Sequence, residues 1–206
     1  MRAERRGAAV EEGVAALTWQ VEQIKKGYSP KNVAIDTQYV AFKNGKNAVT
    51  WDGIWQINDL KGAKTPFGIA AVPTIGASDA VWANSHTFFV TRQATRDDNK
   101  YDAARVFIDW MSKHSADWAG AGMIPARTSV RESAGVQSTT QAPVAEKIDA
   151  MRFLPAVPGL GQVQSETLEV AVNEATLMKT SPADALKQAA EQATKLMAAN
   201  LEKFGG

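Results

Sequence analysis

Three of the six tryptophans fall between Ala48 and His86, each with a hydrogen-bonding side chain close by in sequence. The stretch holds Trp51-Asp52-Gly53-Ile54-Trp55 and, further on, Trp82-Ala83-Asn84-Ser85-His86. An indole is a flat apolar platform with a negative face. Pyranose C–H groups pack on it with a gain on the order of 1 kcal/mol beyond area burial, by analogy with aromatic pairs. A few polar groups beside such a platform suit a neutral polyhydroxylated ligand. Trp55 and Trp82 are the expected contacts, and Trp51 ranks behind them because its strand face can be interior. Asp52 is either an acceptor for paired hydroxyls or a turn residue before Gly53. Neutral His86 donates and accepts at once, which suits a hydroxyl; the alternative is a ring satisfied by backbone. Ser85 adds a hydroxyl. Arg127, following Pro125 in an extended segment, either reaches a cleft or braces a loop through backbone carbonyls, the commoner use of such an arginine.

The elements that must hold these groups are legible from periodicity. Short apolar runs predict strands at Ala48 to Trp51, Phe67 to Val72 and Thr87 to Val90, with a loop from Thr74 to Asp79 leading to Val81-Trp82. Alternation in the first puts Val49 and Trp51 on one face, with Ala48, Thr50 and Asp52 on the other. A helix start from Ile54 to Leu60 places Trp55 near an N-terminus, whose free amides could meet a ligand oxygen.

Around this stretch the pattern is helical. Val10, Val14, Leu17, Val21 and Ile24 form one face of a helix ending at Gly27 and Pro30. Asp36 is placed to cap a helix from Thr37 to Asn44. Asp97 opens a polar run that can cap a helix from Lys100 to Lys113, striped by Tyr101, Ala104, Phe107, Ile108 and Met111. A short helix from Ser115 to Ala121 leads to an extended Gly122 to Val130. A polar loop at 135–141 is followed by a helix from Ala142 to Arg152. Two closing helices run from Gln164 to Met178, with Leu168, Ala171, Val172, Ala175 and Met178 inward, and from Ser181-Pro182-Ala183-Asp184 onward. Helices with several short buried strands make an α/β pattern.

Composition removes several functions. A net charge of +1 over 206 residues gives no field to gather phosphates, so no nucleic-acid partner is expected. With no cysteine, disulfides, thiol catalysis and Cys-ligated zinc are excluded. His86 and His114 lack any flanking carboxylate pattern, so no metal is expected. Gly159-Leu160-Gly161 lacks the dinucleotide spacing, and no cofactor is expected. No run approaches the ~18 apolar residues of a membrane span. The basic start is interrupted at Glu11-Glu12 before an apolar core can form, so no export signal is expected in this chain.

The ordered series Lys25-Lys26-Gly27-Tyr28, Phe42-Lys43-Asn44-Gly45-Lys46-Asn47-Ala48, Gly53-Ile54-Trp55, Gly68-Ile69-Ala70-Ala71-Val72-Pro73, Trp82-Ala83-Asn84-Ser85-His86 and Ile124-Pro125-Ala126-Arg127 resembles a known family. It is that of the carbohydrate-binding extracytoplasmic solute-binding proteins of ABC importers, the maltose-binding-protein-like family. The resemblance runs from roughly Val10 to Leu201 and matches the family's carboxyl-terminal portion. It implies an incomplete, helix-rich, periplasmic-binding-protein-like two-lobe α/β fold of class II type. Residues 1–80 would belong to the second lobe, 81–151 would form the crossing segment and first-lobe helices, and 152–206 would return to the second lobe. It also implies a sugar held in an interlobe cleft, ABC permease transmembrane subunits as partners, and a periplasmic or cell-surface location. Trp55 falls where the family stacks an aromatic on a pyranose. Trp82, Ser85 and His86 fall on the crossing segment. Gln164-Ser165-Glu166 stands where a second stacking tryptophan occurs, which points to a sugar smaller than, or shaped differently from, a long malto-oligosaccharide. Sheet edges without partner strands imply self-association.

Two other classes compete. A glycoside hydrolase needs two flanking carboxyl groups, for which Asp52 and Glu166 are the nominees. No serine elbow or phosphate loop supports other catalysis, and the chain is not expected to be an enzyme. A non-binding remnant or interaction module is the other rival.

Overall fold

A computed structural model describes residues 2–204 apart from Asn32, Val33 and Ile35, with side chains from Glu11 to Lys203. Its elements begin with α1 (Arg2–Lys25), α2 (Thr37–Lys43), a 3-10 turn (Ile54–Gln56), α3 (Ile57–Gly62) and β1 (Val81–Trp82). They continue with α4 (Asp98–Lys113), α5 (Ala116–Gly120), α6 (Thr128–Arg131), α7 (Ala134–Gln137), α8 (Ala142–Ala145), a 3-10 turn (Ile148–Ala150) and β2 (Met151–Arg152). The last are α9 (Leu160–Val163), a π-helical turn (Gln164–Leu168), α10 (Glu169–Thr176) and α11 (Pro182–Phe204). Two compact units result: residues up to Ala34 together with those from Leu154, and residues 35–153.

In the first unit, α1 stops where the sequence marks it. Gly27 adopts a left-handed φ of 77°, and the Gly27 and Tyr28 amides donate to the carbonyls of Ile24 and Gln23, so the helix end is satisfied. Leu17 and Val21 are buried against Ala171, Ala175 and Ala185, with Val172, Leu186 and Ala189 packed around them. Val10, the first residue of the expected stripe, lies outside the described side chains. α11 opens as expected: the Ser181 hydroxyl accepts from the Asp184 amide at 3.1 Å and donates to its carboxylate at 2.7 Å.

The preceding helix departs from the expected stripe. The π turn holds one residue more than an α turn, and this rotates Thr167 inward in place of Leu168. The Thr167 hydroxyl is satisfied by the Val163 carbonyl at 2.6 Å. Leu168 and Met178 are exposed, contrary to the simple 3.6-residue count.

In the second unit α2 and α4 form where expected, while the expected strands do not. Asp97 caps α4, accepting from the amides of Asn99 and Lys100. Asp36 does not cap α2 with its side chain; it sits at φ 63° instead. The expected strands at 48–51, 67–72 and 87–90 form no ladder among the described residues. The one sheet among them is a two-residue parallel pair, Val81 opposite Met151 and Trp82 opposite Arg152. An apolar run becomes a strand only when another backbone satisfies its amides, and these runs have no such partner among the described residues.

Three further expectations fail here. The extended segment ends early, because Thr128–Arg131 turns into α6. The helix expected from Ala142 to Arg152 breaks after Ala145 and finishes as a 3-10 turn and β2. The surface loop expected at 135–141 begins inside α7 and delivers Gln141 to the interior, where it is 1% exposed. Its amide donates to the carbonyls of Ala119 at 2.7 Å and Met123 at 3.1 Å.

Candidate functional site

All seven side chains singled out from the sequence lie in the second unit. Trp51 is exposed, so the alternation that turned it inward does not hold without a strand. The Asp52 carboxylate accepts from the Gly53 amide at 2.7 Å, which is the turn role, with the chain then entering the 3-10 turn. Trp55, in that turn, is 60% exposed. The turn that carries Trp55 is three residues of 3-10 helix leading directly into the six of α3.

The Trp55 turn is held by its neighbours. Ile57 and Leu60 are buried, and Gly122, at a φ of 92°, packs against the Ile54 carbonyl and the Ile57 side chain. A side chain at 122 would be strained and would crowd both. On the other side of α3, Asp59 accepts from Lys43 at 2.6 Å and from the Tyr39 hydroxyl. The Lys43 hydrogen bond, then that of Tyr39, holds the Asp59 carboxyl below its usual range. Burial, then the bond to Asp59, pushes the Tyr39 phenol up to about 12.

Trp82 sits in β1 and is 65% exposed. Beyond it the Asn84 side-chain oxygen accepts from the Ser85 amide at 2.8 Å, and the Ser85 hydroxyl donates to the His86 carbonyl at 3.3 Å. Ser85 and His86 are exposed on an irregular segment. Arg127 is half-buried. Its Nε donates to the Ser112 hydroxyl at 3.0 Å, and a terminal nitrogen lies 3.6 Å from Asp109. Lys113 above all, with Arg127 behind it, keeps the Asp109 carboxyl low. Arg127 thus braces α4 through side chains, and it lines a groove of about 740 Å³ with Asp102, Arg105, Val106, Ile108, Asp109 and Ser112.

Sequence reasoning passed over two aromatic features. Phe88 meets Phe107 edge-to-face at 6.1 Å, in a groove of about 260 Å³ between the 88–93 segment and α4. His114 stacks on Trp110 at 4.2 Å, a pairing their i, i+4 spacing on α4 could have signalled. Glu166, one hydrolase nominee, accepts from Gln162 on its own helix at 2.7 Å. Among the described residues no group of three His, Cys, Asp or Glu is placed to hold a metal ion. No described helix is long and apolar enough to cross a membrane.

Residues 4–144 match the family model described as bacterial extracellular solute-binding protein. No curated protein matches the chain.

Proposed function

The chain belongs to the bacterial extracellular solute-binding proteins, and from that premise we propose that its solute is a sugar or small oligosaccharide delivered to an ABC import permease. The family's described place is outside the membrane, and its membership fits a periplasmic-binding-protein-like fold, here helix-rich. The observation that carries the sugar reading is the exposure of the indoles of Trp51, Trp55 and Trp82. Asp52 and His86 stand close to them in sequence. Exposed indoles offer pyranose rings a stacking face, and the neutral hydroxyl chemistry needs no fixed ligand charge. Binding of this kind favours whichever conformation contacts more of the ligand, and the permease would read that conformation.

Titration of intrinsic tryptophan fluorescence with mono- and oligosaccharides tests the reading. A saturable response in the wild type, abolished by Trp55→Ala, is the expected outcome. A flat response to every sugar rejects it, and release of a chromogenic aglycone would favour a hydrolase instead. A second reading, an interaction module, draws on the exposed Phe88, Phe89 and Val90, an apolar run without a partner strand among the described residues.

A further inference from the structure

We infer that Gly53 is the positioning residue of Trp55, seating the indole flat against the main chain so that only its outer face is open. The use of that open face rests on the sugar-binding reading; the seating itself does not. Gly53 has φ −85° and ψ 153°, extended backbone that any residue adopts. Nothing in its own conformation calls for glycine. The ring does. A methyl at position 53 would lie 2.1 Å from Cη2, 2.1 Å from Cζ3 and 2.3 Å from Cε3 of Trp55. These are successive atoms of the six-membered ring, and their near-equal distances put the methyl over the ring face. A point beyond the edge would be clearly nearest the middle atom.

The turn itself is fixed. The Gln56 amide donates to the Gly53 carbonyl at 3.1 Å, and buried Ile57 anchors the start of α3. The exposed indole is not fixed in that way. A methyl at 53 is therefore relieved by swinging the ring off the backbone, and the main chain stays where it is. With one face on Gly53, the indole stacks a ligand from one side only, which favours a sugar with one continuous C–H face.

The test is Gly53→Ala in protein labelled with 5-fluorotryptophan, the Trp55 fluorine resonance being assigned by its loss in Trp55→Phe. The Trp55 resonance is expected to move while the other five stay, with Tm unchanged and saccharide affinity roughly fivefold to tenfold weaker. In a Trp55→Ala background, adding Gly53→Ala should not lower Tm, raising it slightly if at all by restricting the unfolded chain, and should move no remaining resonance. An unmoved Trp55 resonance overturns the inference. So does a loss of Tm that persists without Trp55, since glycine would then serve the backbone. If the wild type answers no saccharide, the platform reading falls, and the fluorine comparison alone decides the positioning role.

Discussion

Tyr39 carries the clearest pH dependence of any single residue. Its phenol is pushed up to about 12, above the ~10 of an unfolded chain. A raised folded value means its stabilising contribution is whole below about pH 10 and is lost as pH climbs toward 12. Asp59 works in the opposite direction: its carboxyl is held low, so its contribution is present above about pH 4 and is lost as pH falls through the lower folded value. Tyr39→Phe should cost about 1 kcal/mol at neutral pH and flatten the alkaline limb of a denaturation-versus-pH profile. An unchanged alkaline limb would deny the phenol that role. No local spacing signals the contact, because Tyr39 and Asp59 sit on different helices.

Among the elements, those closed by short-range chemistry were legible and those closed at a distance were not. Gly27, Asp97 and the Ser181-Pro182-Asp184 start mark helix ends because the groups they satisfy lie within a turn or two of chain. The runs at 67–72 and 87–90 carry strand composition, but a strand also needs a partner, and no residue within the run encodes one. Gln141 is the sharpest case. Its polarity argues for surface, and only the carbonyls of Ala119 and Met123, well back in the chain, explain its burial. Gln141→Leu should leave the Met123 carbonyl without its donor and the Ala119 carbonyl with only the Gly122 amide, at a cost of about 1 to 2 kcal/mol, read as a lower Tm by thermal denaturation. Ser181→Ala should cost about 1 kcal/mol through the lost cap of α11. The site divides in the same way: the indoles and their polar neighbours were visible by residue type, while the ring of Trp55 lying on Gly53 depends on a rotamer no sequence pattern reports.

Over the whole molecule, the accessible area is 15064 Å². Even two separate globular units of its summed mass would expose only roughly 11,000 Å². Large apolar side chains stand in that surface, Phe89 among them at 81% exposed. Sedimentation velocity should therefore show an average mass that rises with concentration, and Phe89→Lys should reduce the rise by breaking the most exposed apolar run. A mass constant across concentrations would leave the interaction-module reading without support. The first unit joins α1 to α10 and α11 from far along the chain. Its core therefore closes only through contacts that span most of the chain, whereas α4 lies within residues 35–153 and needs no closure of that length. In pulse-labelled hydrogen exchange during refolding, protection of the α1 amides should accordingly arrive together with that of α11, and after that of α4.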